Sequence, residues 1–386
     1  MSKIEELIAK YCPDGVEFLT IGEVCDIHKG VQFNKSDMNG TGTYPVINGG
    51  INPSGYVEVF NEEEDTITIS QGGASAGYVN FQKSRFWLGA HCYAVKPCDK
   101  VLNRYLFHFI KQNEIALQQC QYGAGIPALA KGTISSLEIP LPPLPIQEEI
   151  VRILDTFTEL QAELQAELQA RQQQYQYYRD NLLSFEGRTD VEWKKLGEVA
   201  KSHCSGSTPT KSNKAYYENG TIPWLRTQDV RFNEITEIDS FISEVAVKET
   251  SVKWIPENCV IIAISGATAG RCAINKIRTT TNQHCLNIVV DEKKALYKYV
   301  FYCVYNQYEE LLSLKQGARG DLNSTSVLKM KIPIPSLSEQ QRIVDILDRF
   351  DALVNDLSQG LPAEIEARKQ QYEYYRDQLL TFKRKA

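Results

Sequence analysis

Residues 139–155 read IPLPPLPIQEEIVRILD, and residues 332–348 read IPIPSLSEQQRIVDILD. The two segments align without a gap at an offset of 193 residues. In each one, prolines precede a run in which apolar residues recur every three or four positions, a pattern typical of the start of a helix. Pro145 in the first copy and Ser338 in the second are the predicted helix starts. The near-identity of two distant segments indicates a duplicated unit.

Further motifs return in the same order along the chain. The pairs are GVEFLTIGEV (15–24) with DVEWKKLGEV (190–199), GASAG (73–77) with GATAG (266–270), His91-Cys92 with His284-Cys285, and QYQYYRD (174–180) with QYEYYRD (371–377). Coincidence does not explain four ordered matches, so the sequence predicts an internal pseudo-two-fold repeat.

Each repeat has two parts of different character. Short β-rich runs at 66–70 and 260–264 stop at glycines, and segments 103–119 and 297–314 have helical patterns, which predicts mixed α/β globules. We therefore expect an α+β chain made of four segments. They are a first globule with a short N-terminal helix (1–140), a first helical region (141–189), a second globule (190–335) and a second helical region (336–386).

The second part of each repeat predicts a long helix with one apolar stripe, because large apolar residues recur at spacings of three, four or seven. The stripe comprises Ile150, Leu154, Phe157, Leu160, Leu164, Leu168, Tyr175 and Leu182 in the first copy, and Ile343, Leu347, Phe350, Leu353, Leu357, Ile365, Tyr372 and Leu379 in the second. Gly360-Leu361-Pro362 interrupts the second helix. The stripes favour an antiparallel coiled coil between the two helices. The alternative, in which each helix lies on its own globule, stays open.

Composition and charge exclude several classes of protein. The net charge of −6 argues against a simple polybasic nucleic-acid binder, although residues 193–335 carry more basic than acidic side chains. No stretch approaches 18 apolar residues, which excludes a membrane-spanning helix. Residues 1–10 carry no long apolar segment, so we expect no secretory signal and a cytoplasmic location. Ten cysteines without a C-x-x-C motif predict buried thiols rather than disulfides or a zinc site.

Motifs that would mark an enzyme are missing. The sequence has no P-loop, no G-x-S-x-G elbow and no [DNS]-P-P-[YFW] tetrad, and LPPL at 141–144 is not one. The GASAG and GATAG segments are interpreted as turns after strands. His91 and His284 are expected in apolar surroundings, and each neighbouring cysteine points to the opposite face of a strand. We predict that the chain is not an enzyme.

The whole layout resembles the specificity (S) subunit of type I restriction–modification enzymes. The match extends over essentially the entire chain and is most specific at 139–155, 332–348 and the two tails YYRDNLL (177–183) and YYRDQLL (374–380). The QAEL tetrads that begin at residue 161 are similar to those of IC-type members.

This resemblance implies a bacterial or archaeal cell and a division of labour among subunits. The globules would be target recognition domains that each read one half of a bipartite site in double-stranded DNA. The helices would form an antiparallel coiled coil that sets the spacer and docks two modification (M) subunits, and restriction (R) subunits would join them. S-adenosylmethionine, ATP and Mg would belong to these partners, so the chain itself would hold no cofactor and no metal and would catalyse nothing.

Candidate contact residues follow from side-chain chemistry, because base readout needs a few donors and acceptors on loops. For DNA they are Lys29, Gln32, Asn34, Lys35, Ser75, Tyr78, Lys83 and Arg85 in the first globule, and Ser207, Thr208, Lys211, Arg226, Gln228, Thr268, Arg271 and Arg319 in the second. For partner docking they are Tyr175, Tyr178, Arg179, Tyr372, Tyr375 and Arg376.

Two other functions are compatible with parts of the sequence. The negative charge is consistent with a scaffold whose two globules bind proteins. A stand-alone DNA methyltransferase or nuclease is disfavoured by the missing motifs.

Overall fold

The computed structural model describes residues 3–123, 125–315 and 321–385, apart from the side chain of Asp37. The first repeat contains α1 (Lys3–Tyr11), β1 (Glu17–Thr20), α2 (Ile21–Val24), β2 (Cys25–Lys29), the 3-10 helix η1 (Lys35–Asp37), β3 (Tyr44–Ile47), β4 (Tyr56–Val57), β5 (Thr66–Ser70), β6 (Val79–Gln82), β7 (Trp87–Leu88), β8 (Cys92–Pro97), α3 (Asn103–Gln112), α4 (Glu114–Gln119), α5 (Lys131–Ser135), β9 (Glu138–Leu141) and α6 (Leu144–Leu183).

The second repeat follows a closely similar order. It contains β10 (Glu192–Lys195), α7 (Leu196–Val199), β11 (Ala200–Ser205), η2 (Lys214–Tyr216), β12 (Ile222–Leu225), η3 (Thr227–Asp229), β13 (Glu234–Ile235), β14 (Phe241–Ile242), α8 (Glu244–Glu249), β15 (Trp254–Ile255), β16 (Val260–Ala263), β17 (Cys272–Asn275), β18 (Thr279–Thr281), β19 (Cys285–Val290), α9 (Tyr297–Asn306), α10 (Tyr308–Ser313), α11 (Ser324–Lys329), β20 (Lys331–Ile334), α12 (Leu337–Asn355) and α13 (Leu361–Leu379).

Each globule is built on two sheets and a short two-stranded ladder. In the first globule the sheets have the orders β2-β8-β5-β6 and β4-β3-β7, and β1 pairs with β9. In the second globule the orders are β11-β19-β16-β17-β13 and β14-β12-β18-β15, and β10 pairs with β20. Both globules contain one equivalent parallel pair, β3 with β7 in the first and β12 with β18 in the second. The second globule has a further parallel pair, β13 with β17, and the other paired strands of both globules are antiparallel. The predicted mixed α/β globules and their duplication are confirmed.

The chain forms two compact units that do not follow the order of the sequence. One unit comprises Met1–Ala166 and Ala363–Ala386, and the other comprises Glu167–Pro362. Each unit therefore contains a globule, the first half of the helix that follows it, and the last half of the helix from the other repeat. The hydrophobic core of the first unit shows this directly, because Tyr372 and Leu380 of the second repeat join Ile150 and Leu154 of the first.

A buried glutamine fixes the start of each long helix. Gln147 is 1% exposed, accepts the Leu102 N–H at 2.9 Å and donates to the Pro142 carbonyl at 2.8 Å. Gln340 does the same in the second unit, with Leu296 at 2.9 Å. Since a buried amide needs partners for both its donor and its acceptor, these bonds explain why the proline-rich entry and the glutamine recur together.

In the first unit, α13 docks on α3 through a buried histidine. His108 is fully buried, with Nε2 2.8 Å from an Asp155 carboxylate oxygen and Nδ1 3.0 Å from the Tyr372 hydroxyl. Arg104 also donates to Asp155. Burial raises the pKa of the Asp155 carboxyl, but the hydrogen bonds from His108 and Arg104 outweigh this effect and lower the pKa to about 2. Gln112 donates to Asp377 at 3.0 Å.

In the second unit, the end of α6 docks on α9 in the corresponding way. Tyr302 takes the place of His108 and donates to Asp348 at 2.7 Å. Arg179 donates to Asn306 at 3.1 Å and lies 4.3 Å from the ring centre of Tyr305. Tyr175 is 5% exposed. The duplicated Tyr-Tyr-Arg-Asp motif therefore attaches each helix to the globule of the other repeat.

Most of the predicted apolar stripe is confirmed. α6 is continuous over 40 residues and stacks on α13 through Phe157 and on α12 through Tyr175. This order of contacts is that of antiparallel helices, as predicted. The prediction was wrong for Leu353 and Leu357, which are 38% and 82% exposed. At this end of α12 the side chain that faces the core is that of Val354, which is 2% exposed. The helix breaks between α12 and α13, as the Gly-Leu-Pro segment indicates.

The end of the chain closes the first unit. The Val16 N–H donates to Lys383 at 2.9 Å, and the Lys385 N–H donates back to Val16 at the same distance. In the second unit the corresponding link is covalent, because α6 leads through residues 184–191 into β10. Backbone pairing thus replaces in one unit what chain continuity supplies in the other.

We predict that acid weakens the first unit selectively. Burial lowers the pKa of His108, and the positive charges of Arg104 and Arg376 lower it further. Asp155 acts in the opposite direction, but the net shift is downward. The folded state then binds fewer protons than the unfolded state, so the free energy of unfolding falls as pH drops below the ordinary histidine pKa of about 6.5. Hydrogen–deuterium exchange at pH 7.5 and 5.5, corrected for intrinsic rates, should show lost protection in α3 and α13 but not in α9. His108→Tyr, copied from Tyr302, should abolish the difference; equal losses in both units would contradict the assignment.

Candidate nucleic-acid interface

Several loops of the first globule emerge at the same end of its main sheet. The register pairs Lys29 with Tyr93 and Ser70 with Cys92, so β2 and β5 end where β8 begins and where β6 starts after a tight turn. We call the segments 29–38, 48–54, 71–78 and 89–91 the loop end of the first globule.

The second globule has the same arrangement. β11 and β16 end where β19 begins, since Ser205 pairs with Leu286 and Ala263 pairs with Cys285. β17 starts at this end as well. We call the segments 205–214, 226–229, 264–271 and 282–284 the loop end of the second globule.

The two loop ends share one backbone frame. At Gly30 a Cβ would overlap the Leu88 carbonyl, and at Gly206 it would overlap the Thr281 carbonyl. In both globules the next residue donates its N–H to that same carbonyl, at 3.0 Å in the first and 2.9 Å in the second. A tryptophan indole then donates to the carbonyl of this residue, from Trp87 in the first globule and from Trp224 in the second.

The duplicated glycine motifs are turns, as predicted. Gly77 and Gly270 have φ angles of +88° and +93°, which only glycine adopts readily, and each donates to the end of the preceding strand at 2.8 Å. Ser75 and Thr268 occupy equivalent positions in these turns. A structural role at the strand end accounts for the motif without a bound phosphate.

The His-Cys pairs complete the frame rather than form a nucleophile. The His91 and His284 carbonyls each accept an N–H from the opposite loop at 2.8 Å. Burial raises the pKa of Cys92 to about 12 and also raises that of Cys285. The expectation of apolar surroundings for His91 was wrong, because its side chain is exposed on the loop just before β8.

Six of the eight candidates in the first globule lie at its loop end. They are Lys29, Gln32, Asn34, Lys35, Ser75 and Tyr78. The Tyr78 ring lies under Lys111 of α3, 4.7 Å from its ammonium, and is half-buried.

The other two candidates lie elsewhere. Lys83 and Arg85 follow the far end of β6, and Arg85 is paired with Glu63 at 2.8 Å and lies over Phe60. They are therefore separated from the other six candidates by the length of β6, and their contact with DNA stays a prediction.

The second globule brings seven of its eight candidates to its loop end. They are Ser207, Thr208, Lys211, Arg226, Gln228, Thr268 and Arg271. The remaining one, Arg319, lies outside the described residues.

Several of these hydroxyls already have partners within the globule. Thr268 donates to the Thr227 carbonyl at 2.8 Å, and Thr208 donates to the side chain of Gln283. The cationic side chains of Lys211, Arg226 and Arg271 form none of the ion pairs found within the described ranges. By sequence this loop end carries four basic residues and one acidic residue, against two basic and one acidic in the first globule, so it is the more basic of the two.

Sequence reasoning missed four polar residues at the loop ends. Asn48 and His91 lie there in the first globule, and Lys214 and Gln283 in the second. The repeated His-Cys motif was the available signal for His91. Asn48 is the counterpart of Arg226, since each follows the strand of the parallel pair, but no motif marks that equivalence.

The six docking candidates divide into buried and exposed positions. Tyr175 and Tyr372 are 5% and 8% exposed, and the Arg179 and Arg376 side chains pack over these rings. The surface of these four side chains is packed largely within the chain, and their role in docking stays a prediction. Tyr178 and Tyr375 are 39% and 40% exposed, and each contacts a still more exposed tyrosine before it, Tyr177 and Tyr374.

The described residues contain neither a metal-binding cluster nor a membrane-spanning helix. In the described parts of the chain, no three His, Cys, Asp or Glu side chains are arranged to hold a metal ion. No helix there is both long and apolar enough to cross a membrane.

Comparison with known proteins assigns this arrangement to a class. The family model for the type I restriction modification DNA specificity domain matches residues 13–171 and again 189–367, one match in each repeat. The chain is 33% identical to a type I restriction enzyme specificity subunit of Escherichia coli, over 99% of this chain and 97% of that protein. It is 32% identical to a putative type I specificity subunit of Haemophilus influenzae, over 95% and 96%.

A solved structure has the same fold. The S subunit of a type I restriction–modification system from M. genitalium superposes with a TM-score of 0.66 at 17% identity, covering 95% of this chain and 96% of that one. The chain belongs to the specificity subunits of type I restriction–modification systems.

We predict that the glycine of the shared frame tolerates no side chain. Gly206→Ala should lower the free energy of unfolding by about 1–3 kcal/mol, because the new methyl group must displace the Thr281 carbonyl. Gly197→Ala is the matched control, since the nearest atom to its Cβ would lie at an ordinary 3.4 Å. Urea unfolding of the purified chain measures both, and equal stabilities of the two variants would contradict the crowding at Gly206.

Proposed function

We propose that each globule reads one half of a bipartite sequence in double-stranded DNA through its loop end. The observation that carries this proposal is that the two loop ends share one frame of backbone bonds but present different side chains. A common scaffold with variable polar loops is suited to base readout, in which a few aimed donors and acceptors distinguish base pairs. Two such sites in one chain support a target with two dissimilar halves.

The charge distribution supports a shared role in binding. Phosphate contacts supply most of the salt-dependent affinity for DNA, and they need many cations. A chain with a net charge of −6 supplies few of them, so the partner subunits would provide most phosphate contacts. The cationic loop end of the second globule adds a local contribution.

The proposed partners are two modification subunits and, with them, restriction subunits. S-adenosylmethionine, ATP and Mg would be bound by these partners, and the complex would work in the cytoplasm. The exposed tyrosine pairs Tyr177-Tyr178 and Tyr374-Tyr375 are the proposed docking surfaces, because exposed aromatic rings on rigid helices are typical anchors of interfaces.

A protein-binding scaffold is the second candidate, and its supporting observation is the acidic character of the first repeat. It predicts partner binding without a DNA footprint. A stand-alone methyltransferase would instead require S-adenosylmethionine binding by the isolated chain, which equilibrium dialysis measures.

Methylome sequencing of cells that carry this chain with its modification subunit tests the proposal. The expected result is a motif with two fixed halves and an unread spacer. Methylation without sequence preference, or none that depends on this chain, would contradict it.

Substitution of the outer tyrosines should weaken assembly. Tyr177→Asp with Tyr374→Asp places charges on the proposed docking surfaces without touching Phe350 or Phe157, which the inner tyrosines contact. We expect at least a tenfold loss of affinity for the modification subunit by analytical ultracentrifugation. Gln172→Asp, an exposed position on α6, is the control. Unchanged assembly of the tyrosine variant would remove these surfaces from the docking role.

The length of α6 should set the spacer. Residues 160–170 repeat the QAEL tetrad, and the division between the two compact units falls inside them, after Ala166. Deletion of residues 164–167 shortens a helix by about 6 Å, equivalent to one or two base pairs of about 3.4 Å. Methylome sequencing should show both halves unchanged and a spacer shorter by about one base pair. An unchanged spacer would mean that α6 does not measure it.

A further inference from the structure

The loop ends contain two concavities at equivalent positions. Each lies beside the residue that follows the parallel strand pair, Asn48 after β3 and Arg226 after β12. The equivalence rests on the backbone: Gly89 donates to the carbonyl before Asn48 at 2.9 Å, and Asn282 donates to the carbonyl before Arg226 at 3.0 Å. The volumes are about 370 Å³ in the first globule and about 520 Å³ in the second.

The second concavity has a distinctive lining. Lys211, Lys214 and Arg226 bring three cations to it, against one carboxylate, Glu218, and its wall includes the ring of Trp224. Phosphates and the guanine edge both offer only acceptors to such a set of donors.

Arg226 is held in place but is not fully bonded. Its N–H donates to Asp229 at 2.8 Å, and Trp224, two residues earlier, is anchored by its indole. The side-chain Nε of Arg226 is buried and has no hydrogen-bond partner among the described residues. No hydrogen bond or ion pair within the described residues uses the Arg226 guanidinium, and the residue is half-exposed, so its donors remain available to an acceptor from a ligand.

We propose that this concavity reads a guanine, with the Arg226 guanidinium donating to O6 and N7 while Lys211 and Lys214 contact the neighbouring phosphates. The inference rests on the proposed function and deepens it by assigning a base to a residue. Arginine suits the base because its planar fork matches both guanine acceptors, whereas the two lysines are flexible and suit phosphates.

The equivalent position in the first globule has different chemistry. The Asn48 side-chain oxygen accepts the His91 N–H at 3.1 Å, which leaves an amide nitrogen rather than a charged fork to face the concavity. The guanine is therefore assigned to the half-site of the second globule.

Variants of the complete complex with modification subunits separate base from phosphate contacts. In methylomes, Arg226→Gln should relax one guanine position of one half-site, with a loss of discrimination of roughly 5- to 150-fold, and leave the other half unchanged. Arg226→Lys, which keeps the charge, should relax the same position. Lys211→Gln with Lys214→Gln should weaken binding to all sequences and lower the slope of log affinity against log salt by about 0.9 per lysine. Lys248→Gln, on the exposed face of α8, is the control.

Two outcomes would overturn the inference. One is an unchanged motif in Arg226→Gln. The other is a uniform loss of affinity with a lower salt slope in that variant, which would place the guanidinium on a phosphate. A bipartite motif in the unmodified complex combined with either outcome leaves the proposed function standing, whereas the absence of any such motif would reject the proposed function and this inference together.

Discussion

Tyr372 is 8% exposed and its hydroxyl lies 3.0 Å from a fully buried histidine of α3. Tyr175 is 5% exposed, and the Arg179 side chain that packs over its ring also contacts Tyr305 and Asn306 of α9. Both tyrosines come from the helix of the other repeat, so each globule is completed by a segment that lies far away in the sequence. Burial of one aromatic side chain stabilises a fold by about 1.5–3 kcal/mol, and the polar contacts around it fix its position because unpaired buried groups are costly. Removal of either helix end would expose the core it covers. The rigid join between globule and helix follows from this constraint.

Each loop end likewise has a fixed backbone that holds its variable side chains in position. The backbone frame repeats its glycines and His-Cys carbonyls in both globules, and an indole donates to the equivalent carbonyl in each, although Trp87 lies on β7 and Trp224 on β12. The loops between these fixed points can therefore differ without disturbing the sheets. Asn48 and Arg226 illustrate this, because they occupy equivalent positions on equivalent strands and yet offer different hydrogen-bonding groups. DNA recognition would therefore depend on a few loop side chains. The duplicated motifs that dominate the sequence maintain the backbone geometry on which these side chains are held.

The sequence predicted the duplication, the long helices and their break well, because these features depend on local patterns and on repetition. It did not predict which globule each helix covers, since Tyr175 and Tyr372 have the same motif around them and only tertiary contacts distinguish their sites. The predicted helix start at Ser338 was one residue late, because α12 begins at Leu337. Its N-cap is Ser336, whose hydroxyl accepts the Glu339 N–H at 3.3 Å. Loop residues were harder still. Strand pairing places Arg85 at the far end of β6, and strand pairing also makes Asn48 equivalent to Arg226. No local sequence pattern specifies either pairing.

The central claim is that the two globules are equivalent units that read DNA independently. Exchange of residues 15–138 for the matching segment of a relative, with His108 and Gln112 kept so that α13 still docks, tests it most directly. Methylome sequencing of cells carrying the exchanged chain with its modification subunit should show one half of the motif replaced and the other half unchanged. A motif changed in both halves, or in neither, would contradict the account.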